Sequence, residues 1–169
     1  AARADVQRWR ARSAAVLTGI GTVLADDPHL NVRTPGTRRQ PVRVVLDSKL
    51  RISPNARVLE GGEPKTLVYT ATDVRRAPEL LQSRAELVQV PSLGVGAPRA
   101  EALRDVLAHL AELSVNEVLV EAGPTVSGVF VRHGLADEIL LYIAPKLLGP
   151  QARPLFDLPV LEDLQQAAR

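Results

Sequence analysis

Residues 117–128, Glu-Val-Leu-Val-Glu-Ala-Gly-Pro-Thr-Val-Ser-Gly, restrict the fold more than any other stretch of this chain. Val118, Leu119 and Val120 make a short apolar run of the kind buried on both faces in a parallel sheet. Glu121 ends the run and Gly123 allows a tight turn. Pro124 suits the first position of a helix, where an amide hydrogen would have had no partner. The helix then runs through Val126, Val129, Phe130 and Arg132 to Gly134. A hydrophobic strand thus delivers a carboxylate and a Gly-Pro-Thr turn to a helix N-terminus, whose free N–H groups and dipole favour an anion. The expectation is the floor of a cofactor or phosphate pocket, with Glu121 facing the chemistry.

The rest of the chain repeats strand and helix. Apolar runs predict strands at 14–18, 42–46, 66–69, 86–90 and 138–143 besides the central one. Helices are predicted over 2–13, 78–83 and 99–113, the last with Leu103, Val106, Leu107, Leu110 and Leu113 as its stripe. Thr22 is expected to cap a brief helix over 23–26, after a turn at 19–22. Loops fall at 31–41, 52–64, 91–98 and 146–153, by their proline and glycine punctuation. This alternation predicts one α/β domain over residues 1–169, with right-handed crossovers and a mostly parallel sheet flanked by helices. Ligands of such sheets sit beyond the carboxyl ends of the strands, here 19–22, Asp47-Ser48, 70–72 and 121–123.

Composition narrows the chemistry. Aromatic residues are 3% of the chain, so the core must be aliphatic. A net charge of +2 gives no argument for nucleic acid. The only lysines are Lys49, Lys65 and Lys146; the other cations are guanidiniums, which suit phosphate esters. Without cysteine there is no disulfide, thiolate zinc site or thiol nucleophile. No apolar run approaches the ~20 residues of a membrane span and no signal peptide is visible, so a cytoplasmic protein is the simple reading. Methionine is absent even at position 1, which suggests a start inside a longer translated product.

Gly19-x-Gly21 after a strand invites a dinucleotide-binding fingerprint, but Leu24 stands where the third glycine belongs. Thr22 and Asp26, one helical turn apart, place a hydroxyl and a carboxylate on one side. That arrangement suits ribose or amide hydrogen bonds, and equally a local capping role. Arg10, Arg33, Arg38 and Arg39 are candidates for phosphate; Arg33 follows the Asp26-Asp27-Pro28 turn on the ligand side, and Arg10 lies beside the apolar face of its helix. His29, His109 and His133 have no metal-ligand spacing, His109 reads as structural, and no Ser-His-Asp order is present. Glu121 is either a structural acid or the functional carboxylate of the pocket.

Several stretches together resemble the reductase domain of the riboflavin-biosynthesis deaminase/reductase family. They are residues 5–13, Asp-Val-Gln-Arg-Trp-Arg-Ala-Arg-Ser, and 15–19, Ala-Val-Leu-Thr-Gly, then 21–28, Gly-Thr-Val-Leu-Ala-Asp-Asp-Pro, with Leu30 and Arg33. Residues 41–47, 120–125, 135–138 and 143–149 (Ile-Ala-Pro-Lys-Leu-Leu-Gly) fit the later segments in order. The resemblance implies a fold similar to dihydrofolate reductase and the NADPH-dependent reduction of 5-amino-6-(5-phosphoribosylamino)uracil. By position it implies that Thr22, Asp26 and Ser48 contact NADPH. So does the turn of Gly123, Pro124, Thr125, Val126, Ser127, Gly128 and Val129. Arg10, Leu30, Arg33 and Glu121 are implied as substrate contacts, with Glu121 the catalytic candidate and no metal. It further implies a homodimer, and a zinc deaminase domain fused upstream. The first strand and the C-terminal hairpin of the reductase domain are expected to lie outside this chain. Alternatives are a reductase of another pyrimidine or a pteridine, and an inactive fragment serving as an oligomerisation module.

Overall fold

The structure is a computed structural model that describes residues 2–37, 39–149 and 151–160. Helix α1 (Ala2–Arg12) leads into β1 (Ala15–Gly19), and α2 (Ile20–Asp26) follows at once. Then come β2 (Val42–Leu46), β3 (Thr66–Thr70), α3 (Glu79–Arg84), β4 (Ala85–Gln89), α4 (Arg99–Glu112), β5 (Val118–Val120) and α5 (Pro124–Arg132). Short 3-10 turns at Arg57–Leu59, Val74–Arg76 and Pro91–Leu93 punctuate the loops.

The strands form one sheet in the order β4-β3-β2-β1-β5, every pair parallel. Leu17 lies opposite both Val44 and Val120, so β1 is the centre from which the order departs in two directions. From β1 the chain steps outward to β4, then returns to place β5 on the other side. The switch point of the topology therefore lies between the carboxyl ends of β1 and β5.

Alternating side chains divide the core. Ala15, Leu17, Val44, Leu46, Leu67 and Tyr69 face α4 and α5, where Leu103, Val106, Leu110 and Phe130 close one layer. Val16, Val45 and Val68 face the opposite layer, closed by Ile20, Val23, Leu30, Val58 and Leu81. The predicted stripe of the long helix packs as expected, except that Leu113 is exposed beyond its last turn.

Two expectations are corrected. Thr22 is not an N-cap: α2 begins at Ile20 with Gly19 as its cap residue and no side-chain cap. Ile20 and Val23, three apart, are both buried and pull the helix start back onto the sheet end. Residues 138–143 are not a strand. They stand off the sheet across a cavity of about 710 Å³, lined on one side by residues 115–122 and on the other by residues 135–142. A strand exists only against a partner, and among the described residues β5 pairs on one side alone, with β1.

Candidate functional site

The site is built where β1 and β5 end side by side. Glu121 follows β5, and its N–H donates to the Leu17 carbonyl at 2.9 Å, extending the ladder by one residue. Gly19 closes β1, and a Cβ there would lie 3.1 Å from a γ-methyl of Val126. A side chain there would press on Val126, so glycine eases the close approach of the first turn of α5 to the end of β1. Gly123 caps α5 with Pro124 at the first helical position, as the sequence predicts. Ser127 braces this turn by donating its hydroxyl to the Ala122 carbonyl at 3.1 Å.

Arg10 and Glu121, 111 residues apart, meet as a two-pronged fork. Arg10 Nε and Nη2 donate to the two Glu121 oxygens, each at 2.6 Å, and Nη1 donates to the Asn31 carbonyl at 3.1 Å. The side chains are 11% and 25% exposed, so the pair sits in the wall of the site rather than in open solvent. Leu30, buried and at φ 52°, turns the chain so that Asn31 reaches Arg10. Arg33 is exposed, and its N–H donates to Gln7 Oε1 at 2.7 Å, which ties the 31–33 loop to α1.

The other candidates distribute along the same edge. Thr22 is half-buried within α2 and Asp26 is exposed at its last position. Ser48, half-buried after β2, accepts the Ala71 N–H on its carbonyl at 3.2 Å. Thr125 is exposed on the first turn of α5. Gly128 faces elsewhere: a Cβ there would lie 2.5 Å from the Asp157 carbonyl oxygen, because residues around 157 cross α5 at that point. Val129 packs against the core on the α4 side. Within residues 123–129, Gly123 heads the helix with open space around it, Val126 reaches Gly19, and Gly128 meets residue 157. Arg39 is exposed, and Arg38 lies outside the described residues. His109 is structural, its Nδ1 2.8 Å from the hydroxyl of buried Tyr69, whose pKa burial raises.

Sequence reasoning missed a set of buried polar atoms. Among the described residues four have no hydrogen-bond partner: Thr18 Oγ1, Asn31 Oδ1, Asp47 Oδ1 and Arg43 Nε. Thr18 precedes Gly19, Asp47 follows β2, and the Asn31 carbonyl accepts from Arg10, so three of the four belong to this edge. Such groups cost about 1–3 kcal/mol each when left unpaired, and Asp47 Oδ1 keeps an ion-pair distance of 3.7 Å to Arg51 Nε. The signal was present for Thr18, a lone hydroxyl at the end of an otherwise apolar strand. Among the described residues no group of acidic and histidine side chains could hold a metal.

The sequence profile of the RibD C-terminal domain matches residues 1–168. The chain belongs to the RibD C-terminal domain family. It is 39% identical to the riboflavin biosynthesis protein RibD of Escherichia coli, over 98% of this chain and 46% of that protein. It is 31% identical to a 5-amino-6-(5-phosphoribosylamino)uracil reductase of Buchnera aphidicola, over 91% of this chain and 76% of that one. Among solved structures, Acinetobacter baumannii RibD matches 99% of the chain at 37% identity with a TM-score of 0.82. The family's dihydrofolate-reductase-like fold is the one described above, and the chain spans about half the length of the curated RibD relatives it matches.

Proposed function

We propose that this chain is the reductase module that uses NADPH to reduce 5-amino-6-(5-phosphoribosylamino)uracil to its ribitylamino product. The observation that carries the reading is the Arg10–Glu121 fork, at the β1/β5 switch point and beside the first turn of α5. A guanidinium–carboxylate pair suits a sugar phosphate and a pyrimidine, and a helix N-terminus suits a pyrophosphate. The Buchnera relative, named for this reduction, is matched over three quarters of its length.

The residues present fit a dinucleotide. Space is open where Cβ atoms would stand at Gly21 and Gly123, so backbone can approach a phosphate at both turns. Gly123, Pro124, Thr125 and Val126 would cradle the pyrophosphate, with Thr22, Asp26 and Ser48 along the same edge. When bound, reduced nicotinamide would supply a hydride for C1′ of the ring-opened imine, whose nitrogen would take a proton from water. Arg10 and Arg33 would hold the 5-phosphate, Leu30 would wall the pyrimidine, and Glu121 would orient it through N–H or hydroxyl donors. Holding both ligands in one crevice accounts for most of the expected rate.

We also read the unpaired outer side of β5, facing residues 138–143 across the cavity, as the slot of a further strand of this sheet. The exposed Ile139, Leu141, Ile143, Leu147 and Leu148 nearby support a dimer surface. The sequence reading of a fused zinc deaminase domain and a cytoplasmic enzyme belongs to this proposal as well.

The test is NADPH oxidation by the full-length gene product with the phosphoribosylaminouracil, beside Gly123→Trp. Gly123 has φ −72°, open to any residue, so the variant should fold, and its indole should fill the crevice. Turnover lost in the variant supports the reading; no turnover by wild type, or full turnover by the variant, contradicts it.

A further inference from the structure

Asp27 and Leu30 both hold left-handed backbone, at φ 40° and 52°. Such residues persist only where surrounding contacts fix them. The contacts come from the 3-10 turn at Arg57–Leu59. The Arg57 N–H donates to Asp27 Oδ1 at 2.9 Å, and its guanidinium closes on His29 Nε2, with Nε at 3.0 Å and Nη2 at 2.7 Å. This turn is itself fastened to the sheet. Val58 and Leu59 are buried, the Thr66 hydroxyl donates to the Val58 carbonyl at 2.7 Å, and Arg43 donates to the Glu60 carbonyl. Residues 27–31 thus hang on a fixed support. They carry buried Leu30 and the Asn31 carbonyl, which accepts from Arg10 Nη1 at 3.1 Å.

We propose that Arg57 and His29 form a proton-operated latch that positions the loop of Leu30 and Asn31: neutral His29 keeps the loop in place through Nε2, and a proton on Nε2 releases it. A guanidinium offers only donors, so the bond needs the Nε2 lone pair, with the ring proton on Nδ1. Nδ1 lies 3.6 Å from Glu60 Oε2. Protonation sets a second N–H and a positive charge against the guanidinium, and the contact is lost. Among the described residues, Arg57 and Glu60 are the charged groups facing the ring, and Asp27 takes the Arg57 N–H on the same turn. Glu60, its side chain 54% exposed, is too screened to hold the loop in place of Arg57. His29 and Arg57 are positioning residues, since both act through Leu30 and Asn31. That this loop walls the substrate rests on the proposed function; the latch itself does not.

The test has two arms, both on the full-length gene product at about pH 8 and about pH 5.5, which bracket the ordinary histidine range. His29→Gln supplies an acceptor of similar reach, Oε1 in place of Nε2, that takes no proton. In the first arm, hydrogen exchange gives the protection factor of the Arg57 amide, whose acceptor is Asp27. At the lower pH it should fall about tenfold in wild type, the loss of one charge-assisted hydrogen bond, and stay within about twofold in His29→Gln. Unchanged protection in wild type, or an equal fall in the two proteins, overturns the inference. In the second arm, the dissociation constant of the phosphoribosylaminouracil is compared between the same two proteins, so that titration of its own phosphate cancels. The ratio of wild type to His29→Gln should be near unity at the higher pH and rise about tenfold at the lower. A flat ratio overturns the inference. A wild type that binds none of this compound contradicts the proposed function instead, and the exchange arm then decides the inference.

Discussion

Arg10→Met removes the guanidinium of the fork and keeps an unbranched stem of similar reach. The fork comprises two bonds of 2.6 Å between side chains 11% and 25% exposed. Exposed ion pairs contribute about 0–1 kcal/mol, whereas removing one partner of a fully buried pair costs about 3–5 kcal/mol. This pair lies between the two limits, so the variant should lose about 2 kcal/mol. For a domain of this size that corresponds to a fall of about 4–8 °C in the thermal midpoint. Glu121→Gln should lose a similar amount, because its amide nitrogen meets a guanidinium that has only protons to offer. With both charges gone in Arg10→Met/Glu121→Gln, the loss should be smaller than the sum by about 1 kcal/mol or more. Thermal unfolding followed by circular dichroism reads all four proteins. Single variants within about 0.5 kcal/mol of wild type, or an additive double variant, would refute the fork as an energetic unit.

Three further outcomes follow from other parts of the molecule. Gly128→Ala should gain about 1 kcal/mol of helix propensity and lose the Asp157 crossing, including the Asp157 N–H to Pro124 carbonyl bond of 3.0 Å. Its global midpoint should therefore change little while hydrogen exchange at the Asp157 amide accelerates; unchanged protection there contradicts the close approach. Arg43→Met should cost about 2 kcal/mol in urea unfolding. Its buried guanidinium, whose pKa desolvation lowers, donates to the Glu60, Gly62 and Pro64 carbonyls, and a wild-type-like midpoint contradicts that role. The hydrogen bond from the Arg75 side chain, first, and then its backbone N–H hold the Asp73 carboxyl down at about 2. A depressed folded-state value stabilises above the ordinary 3.8 and is lost as pH falls through about 2. Thermal midpoints of wild type should thus drop relative to Asp73→Asn across that window, and parallel curves contradict it.

The fold was legible wherever a local pattern and a tertiary partner agreed. Apolar runs placed β1, β2, β3, β4 and β5 to within one residue of their observed ends, because each is flanked by strands or helices that reward burial. The run at 138–143 looked no different from these, yet it is not a strand, since pairing is a property of two segments and sequence pattern describes one. Thr22 was misplaced for the same reason: capping preference is local, whereas the start of α2 is set by Ile20 reaching the sheet. At the site, position relative to strand ends picked out Glu121, Gly123 and Ser48. That Arg10 would reach Glu121 across 111 residues follows only from the fold. Thr18 and Asn31 stayed hidden because an unpaired buried atom has no sequence signature beyond a polar residue in an apolar setting, whereas Asp47 was named among the strand ends.

The central claim is that the cofactor pyrophosphate lies at the carboxyl ends of β1 and β5, against the first turn of α5, and not along the outer side of β5. A crystal structure of the protein with NADPH decides between them most directly. The account predicts the pyrophosphate against the first turn of α5, beside Gly123 and Thr125, with the nicotinamide end toward Glu121. A nucleotide seated among Trp9, Val118 and Ile139, in the cavity along the outer side of β5, would contradict it.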